Sequence, residues 1–212
     1  MEYNKVWDFF EEIYCINLDH RTDRWEHAEK EFDSVGLSNK VKRFSAIQHQ
    51  DGRIGLIKSV LSIIKKTKEK NLDNVLIFQD DVTFINDPIP TLQLAVEQID
   101  KKWSLFYLGA TLHSKCEKYS PNLVYLKNAY AAHAIAYRKT VFDTIINKFE
   151  ITNEIKSNAD IDDVFICNEI QNKTLSFMTY PMIASQYGSY SDLEKAYVFY
   201  EFIEERFKRF TE

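Results

Sequence analysis

Short runs of apolar, β-branched and aromatic residues alternate in the first half of the chain with longer stretches whose apolar residues recur every three or four positions. EIYCINL (12–18) is of the first kind and predicts a strand. The stretch after it, DHRTDRWEHAEKEFDSVGL, is dense in charge and closes on Gly36, so it predicts an amphipathic helix. A short strand is expected at VKRFSAI (41–47). Over 53–71, RIGLIKSVLSIIKKTKEKN places Ile54, Ile57, Leu61 and Ile64 three or four apart with lysines on the other face, which predicts a helix lying on a sheet. NVLIF, PIPTLQLAVEQID and WSLFYLGA then read as strand, helix and strand. This alternation predicts an α/β fold, a mixed but largely parallel sheet flanked by helices.

The second half is less regular. NLVYL and AAHAIAYR read as strands, KTVFDTIINKF as a helix, and DDVFICNEIQN as a second helix that opens on carboxylates. TLSFMTYPMIASQ returns to extended structure. The tail SDLEKAYVFYEFIEERFKRF has a Ser or Asp cap and apolar residues at helical spacing, so one docked helix is expected there.

Length and composition narrow the picture. A chain of 212 residues buries one substantial core, and no Pro-rich or Gly/Ser-rich tract divides it, so residues 1–212 read as a single domain. The net charge of -5 gives no electrostatic footprint for nucleic acid. Cys15, Cys116 and Cys167 are odd in number, widely spaced and set in apolar runs, which suits reduced core thiols. The first residues carry acidic groups where a signal peptide needs a basic segment, and no window is apolar for the ~18 residues of a membrane span. A cytoplasmic protein with no membrane span is the expectation.

The chemistry concentrates at one strand end. NVLIFQDDVTF (74–84) is an apolar run that stops at two adjacent carboxylates, Asp80 and Asp81. In open α/β sheets ligands bind beyond the carboxyl ends of the strands. Two carboxylates held together repel each other, and a divalent cation that also bridges the phosphates of a nucleotide relieves the repulsion. The bland alternative is a turn in which the Asp side chains bond nearby backbone amides.

Six blocks in order resemble the family 25 glycosyltransferases, the lipopolysaccharide-type and collagen galactosyltransferases: YCINLDHRTDR, DGRIGLIKSVLSI, LIFQDDVTF, FYLGA, HAIAYRKTVFDTII and SQYGSYSDLE. The resemblance covers nearly the whole chain. It implies a GT-A fold, a UDP-sugar donor, Mn²⁺ or Mg²⁺, and transfer of a hexose with inversion to a glycan or glycoprotein acceptor. Asp81 would ligate the metal with Asp80 beside it. Asn17, Leu18, Arg21, Arg24, Gln79 and Asp80 would contact the donor. Gln79 stands where the family usually has Glu, and a neutral amide lends no charge to a cation. Val60 stands where a His commonly follows the Ser59 position.

Inverting transfer needs a carboxylate to take the acceptor's proton. NADIDDVF (158–165) gathers Asp160, Asp162 and Asp163 before a helix, and Asp163, then Asp162, is the expected base. The bland alternative is favourable placement of acids at a helix start. His133 reads equally as a buried, backbone-bonded histidine. Two rival readings use the same residues. One is a non-catalytic nucleotide-sugar or glycan-binding relative. The other is a receiver-type phosphoacceptor domain, whose acidic pair should lie at the first strand of a shorter chain.

Overall fold

The computed structural model describes residues 5–192 and 195–211. Eight strands form the central sheet in the spatial order β2 (Val41–Ser45), β1 (Ile13–Asn17), β3 (Asn74–Gln79), β10 (Ala134–Arg138), β5 (Leu105–Tyr107), β11 (Ser176–Thr179), β8 (Leu123–Tyr125) and β7 (Glu117–Ser120). The pairings β2–β1, β1–β3 and β5–β11 are parallel, while β10 and β8 run against their neighbours. The sheet is therefore mixed, with the other six strands pointing one way. Three two-stranded pairs surround it: β4 (Val82–Phe84) with β12 (Ala184–Gln186), β6 (Thr111–Leu112) with β9 (Ala129–Tyr130), and β13 (Ser189–Ser191) with β14 (Ala196–Val198).

Both faces of the sheet are covered, which is why its inner strands read as unbroken apolar runs. Side chains alternate between the faces. Tyr14, Ile16, Val75, Ile77, Ile135 and Tyr137 join one cluster with α2 (Gly52–Glu69), α4 (Phe142–Ile151) and α6 (Glu201–Thr211). Ile13, Cys15, Leu76, Phe78, Ala134 and Ala136 join the other with α1 (Thr22–Ser34) and α3 (Pro88–Gln98). Phe78 is wholly buried. Cutting it to Ala would cost about 3–5 kcal/mol, a large part of a domain's ~5–15 kcal/mol. Of the four residues that predicted α2, Ile54, Ile57 and Ile64 are buried and Leu61 packs partly against the same cluster. The three cysteines are buried and free.

Helix α1 ends at Ser34, and Gly36 takes a φ of 71°, the left-handed turn that glycine adopts without strain. The predicted helix at DDVFICNEIQN begins as one α turn, α5 (Asp162–Phe165), and continues π-helically over Ile166–Gln171.

The tail departs from expectation. Its helix begins only at Glu201; before it lies the β13–β14 hairpin, with Tyr190 paired to Tyr197. The expectation for Leu193 and Glu194 lies outside the described residues. Tyr197 and Phe199 are exposed, while Ile203 and Phe207 are buried. Ser191 and Asp192 therefore belong to the hairpin and do not cap the helix. Among the described residues no helix is long and apolar enough to cross a membrane.

Candidate functional site

The carboxyl ends of β1 and β3 meet the start of β10 along one set of strand ends of the sheet. Ala134 pairs with Phe78, so residues 131–133 run beside Gln79 and the acidic pair, and Gln79 N–H donates to His133 O at 3.0 Å. Asp80 and Asp81 form the turn between β3 and β4. Both are buried, at 7% and 5% exposure, so neither is a solvated surface acid.

Three side chains from other segments satisfy most of their oxygens. Arg24, in the first turn of α1, places Nε 3.0 Å from Asp80 Oδ1 and Nη2 2.6 Å from Asp81 Oδ2. Asn17 Nδ2 donates to Asp80 Oδ2 at 2.6 Å, and Gln186 Nε2 to Asp81 Oδ2 at 3.1 Å. Asp81 Oδ1 is buried and has no partner. Arg24 Nε is also buried, and its N–H is not directed well enough at any acceptor to make a hydrogen bond. Burial pushes the Asp80 carboxyl up to about 6, with Arg24 and Asn17 opposing the shift. Burial also works against the Arg24 charge, but Asp81 and Asp80 outweigh it and hold its pKa above the ordinary value.

A cleft of about 650 Å³ opens on this turn. A second wall carries Asp162 and Asp163 at the start of α5. Asp163 is partly exposed, and its Oδ2 accepts the Ala131 N–H at 3.2 Å. Asp162 is 5% exposed, and its Oδ2 reaches neither solvent nor partner. Burial, with the neighbouring Asp163 charge, pushes Asp162 up to about 7. Backbone N–H groups of the two residues oppose that shift.

The third wall is the loop between β2 and α2. Ile16, Leu18, Ala46, Ile47 and Leu56 give it an apolar lining beside His20, His49 and Arg53. Ser59 explains the shape of this loop: its Oγ accepts the Ile47 N–H and donates to Gly55 O. A Cβ on Gly55 would stand 2.5 Å from Ile47 O, so glycine is what allows the helix to approach. The DGRIGLIKS block thus has a structural job, and Val60 beside it is core.

Leu18, Arg24, Gln79, Asp80, Asp81, Asp162 and Asp163 all line the cleft, so the expected residues converge from distant parts of the chain. Asn17 and Arg21 do not line it. Asn17 is 1% exposed and braces Asp80, with its own Oδ1 accepting from Arg43 Nη2 at 2.5 Å. Arg21 pairs with Asp23 and Asp192 and donates to Tyr190 O, which ties the first loop to the hairpin. His133 is fully buried with Nε2 3.4 Å from Ala184 O. Sequence reasoning missed His20, His49 and Arg53; the crowding of His49, Asp51 and Arg53 at a helix start was the available signal.

The residues fit a divalent cation in one way. Asp81 Oδ1 is a single unpartnered hard oxygen. Mg²⁺ and similar cations accept one or two carboxylates and complete their shell from phosphate and water. Among the described residues, no group of three or more His, Cys, Asp or Glu is placed to hold a metal by itself.

No protein-family model matches the chain, and no curated protein matches it. Solved structures do. A glycosyltransferase involved in glycosylation of the major capsid of PBCV-1 is 11% identical with a TM-score of 0.45, over 68% of this chain and 67% of that one. A197 from STIV is 9% identical with a TM-score of 0.49, over 88% and 92%. UDP-glucose pyrophosphorylase complexed with UDP-glucose is 10% identical with a TM-score of 0.46, over 79% and 72%. At these values no residue role or activity is carried over.

Proposed function

We propose that the chain is a glycosyltransferase that moves a hexose, galactose or glucose, from a UDP-sugar to a hydroxyl of a saccharide or protein-linked acceptor, with inversion. One observation carries the reading: two carboxylate pairs from distant parts of the chain line one cleft at the carboxyl ends of β1 and β3. The ordered resemblance of six sequence blocks to the family 25 enzymes supports it.

In this reading the uracil and ribose lie against the apolar wall of Leu18, Ile47 and Leu56, and the diphosphate lies towards Arg24 and Asp81. A divalent cation bound through Asp81, with Asp80 beside it, would supply positive charge to the leaving diphosphate. The acceptor oxygen bonds to the anomeric carbon as the bond from that carbon to the diphosphate oxygen breaks. The electron pair of the broken bond leaves with UDP, and the acceptor's proton passes to Asp163. Asp163 suits the base because it is open to the cleft and the Ala131 N–H orients it. Asp162 is the more buried of the two, at 5% exposure, so Asp163 is the better placed to meet an acceptor hydroxyl.

The test is a thermal-shift screen of nucleotide sugars with and without Mn²⁺, followed by assay of UDP release. A UDP-hexose that raises the melting temperature and is then consumed is the expected result. Binding without any UDP release would favour the non-catalytic reading, in which Gln79 offers an amide where charge is needed. If no nucleotide sugar binds, the proposal is overturned.

A further inference from the structure

The two buried atoms without hydrogen-bond partners at the acidic turn are complementary. Arg24 Nε lies 3.0 Å from Asp80 Oδ1 without being aligned to hydrogen-bond to it, and Asp81 Oδ1 is an acceptor that lacks a donor or a cation. A diphosphate carrying a divalent cation would satisfy both at once, the anion at the guanidinium and the cation at the carboxylate. Arg24 meanwhile spans both carboxylates and is itself only 11% exposed at its side chain. Its guanidinium therefore sits on oxygens that a cation would use.

We infer that Arg24 is a latch on the cation site. It competes with the cation for Asp80 and Asp81 and gives up its hold when a diphosphate arrives to take its charge. This rests on the donor reading proposed above for what releases the latch, but the competition itself belongs to the protein alone. Two carboxylates and one guanidinium leave one net negative charge at the turn. A divalent cation arriving alone meets the Arg24 charge at close range, whereas a cation arriving with a diphosphate does not. Cation and nucleotide thus enter together, and the protein without nucleotide holds the cation weakly.

Manganese chloride titrated into the full chain by calorimetry, without nucleotide, tests the latch. Arg24→Met, neutral and of similar reach, should bind Mn²⁺ at least about tenfold more tightly than the wild type, because a repelling charge next to the site is gone. Equal or weaker Mn²⁺ binding by a folded Arg24→Met overturns the inference. Removing one partner of a buried ion pair is destabilising, so circular dichroism checks folding first. Arg24→Lys is the second arm: it keeps the charge but cannot span both carboxylates, so its Mn²⁺ affinity should fall between the other two. If Arg24→Met does not fold, a Lys variant with wild-type Mn²⁺ affinity overturns the latch. A separate titration with UDP in the presence of Mn²⁺ separates the two readings. Wild-type binding that Arg24→Met loses supports Arg24 as the diphosphate partner. Tighter Mn²⁺ binding by the variant with no UDP binding by either protein keeps the latch and rejects the UDP donor.

Discussion

Asp80–Asp81 and Asp162–Asp163 face the same cleft, and the chain treats them in opposite ways. The first pair is met by Arg24, Asn17 and Gln186, so its charge is compensated inside the protein. Among the described residues no ion pair reaches the second, and Asp162 is left with a buried oxygen that has no partner. Burying a charge without compensation shifts its pKa until it holds a proton. Arg24 and Asn17 hold Asp80 to about 6 against its burial, whereas Asp162 rises to about 7, so the first pair is the better suited to holding charged groups in place. The same residue type serves two kinds of chemistry because of what surrounds it.

The contrast is tested most severely at Asp163. Asp163→Asn should leave donor affinity near the wild-type value while sugar transfer falls by about 10²–10⁴-fold. Loss of donor binding instead would place Asp163 in the sugar pocket and erase the division of labour. At the other pair, Asp81→Asn should weaken Mn²⁺-dependent UDP binding by about 100-fold, some 2.7 kcal/mol, because it removes the negative charge from the side chain whose Oδ1 is unpartnered. Calorimetry showing unchanged metal-dependent affinity would return Asp81 to a plain turn residue. Arg21→Met should matter less. Its bonds run to the hairpin and to Asp23, so UDP affinity should change by about fivefold or less, and stability by about 1 kcal/mol or less. A larger loss of UDP affinity would bring Arg21 into the nucleotide site.

Much of this arrangement was legible in the chain where burial imposes a pattern. The apolar run that ends at Asp80 and Asp81 marks a strand with both faces covered, and the acids mark its open end. Arg24 had a signal that the sequence reading did not use: it lies at i, i+4 and i+8 with Ala28 and Phe32 on the buried stripe of α1. A charge on such a stripe needs a buried partner. The brace from Asn17 to Asp80 was not legible, because it joins residues 63 apart and depends on β1 lying beside β3. The tail misled for a different reason. Its apolar spacing suits a helix throughout, but Tyr190 and Tyr197 pair across a hairpin that Arg21 ties to the first loop. That tertiary contact overrides local preference.

The pH dependence of stability at Asp162 bears most directly on why the two pairs differ. An unfolded Asp releases its proton near pH ~3.9, whereas Asp162 in the folded chain releases it at about 7. Between those values the native state binds more protons than the unfolded state, so wild-type stability falls as pH rises through the window. The contribution is fully present below the unfolded pKa and lost above about 7. Asp162→Asn mimics the protonated side chain and does not titrate, so it should escape this loss, which has a slope of up to about 1.4 kcal/mol per pH unit. Urea midpoints at pH 5 and pH 8 give the check: relative to wild type, the variant should gain stability at the higher pH. Transfer activity should fall less than about tenfold, because the residue touching the acceptor is Asp163. If variant and wild type keep the same stability difference at both pH values, Asp162 holds no proton near neutrality. The two carboxylate pairs would then be alike in charge, and the role of Asp163 would rest on its own kinetic test alone.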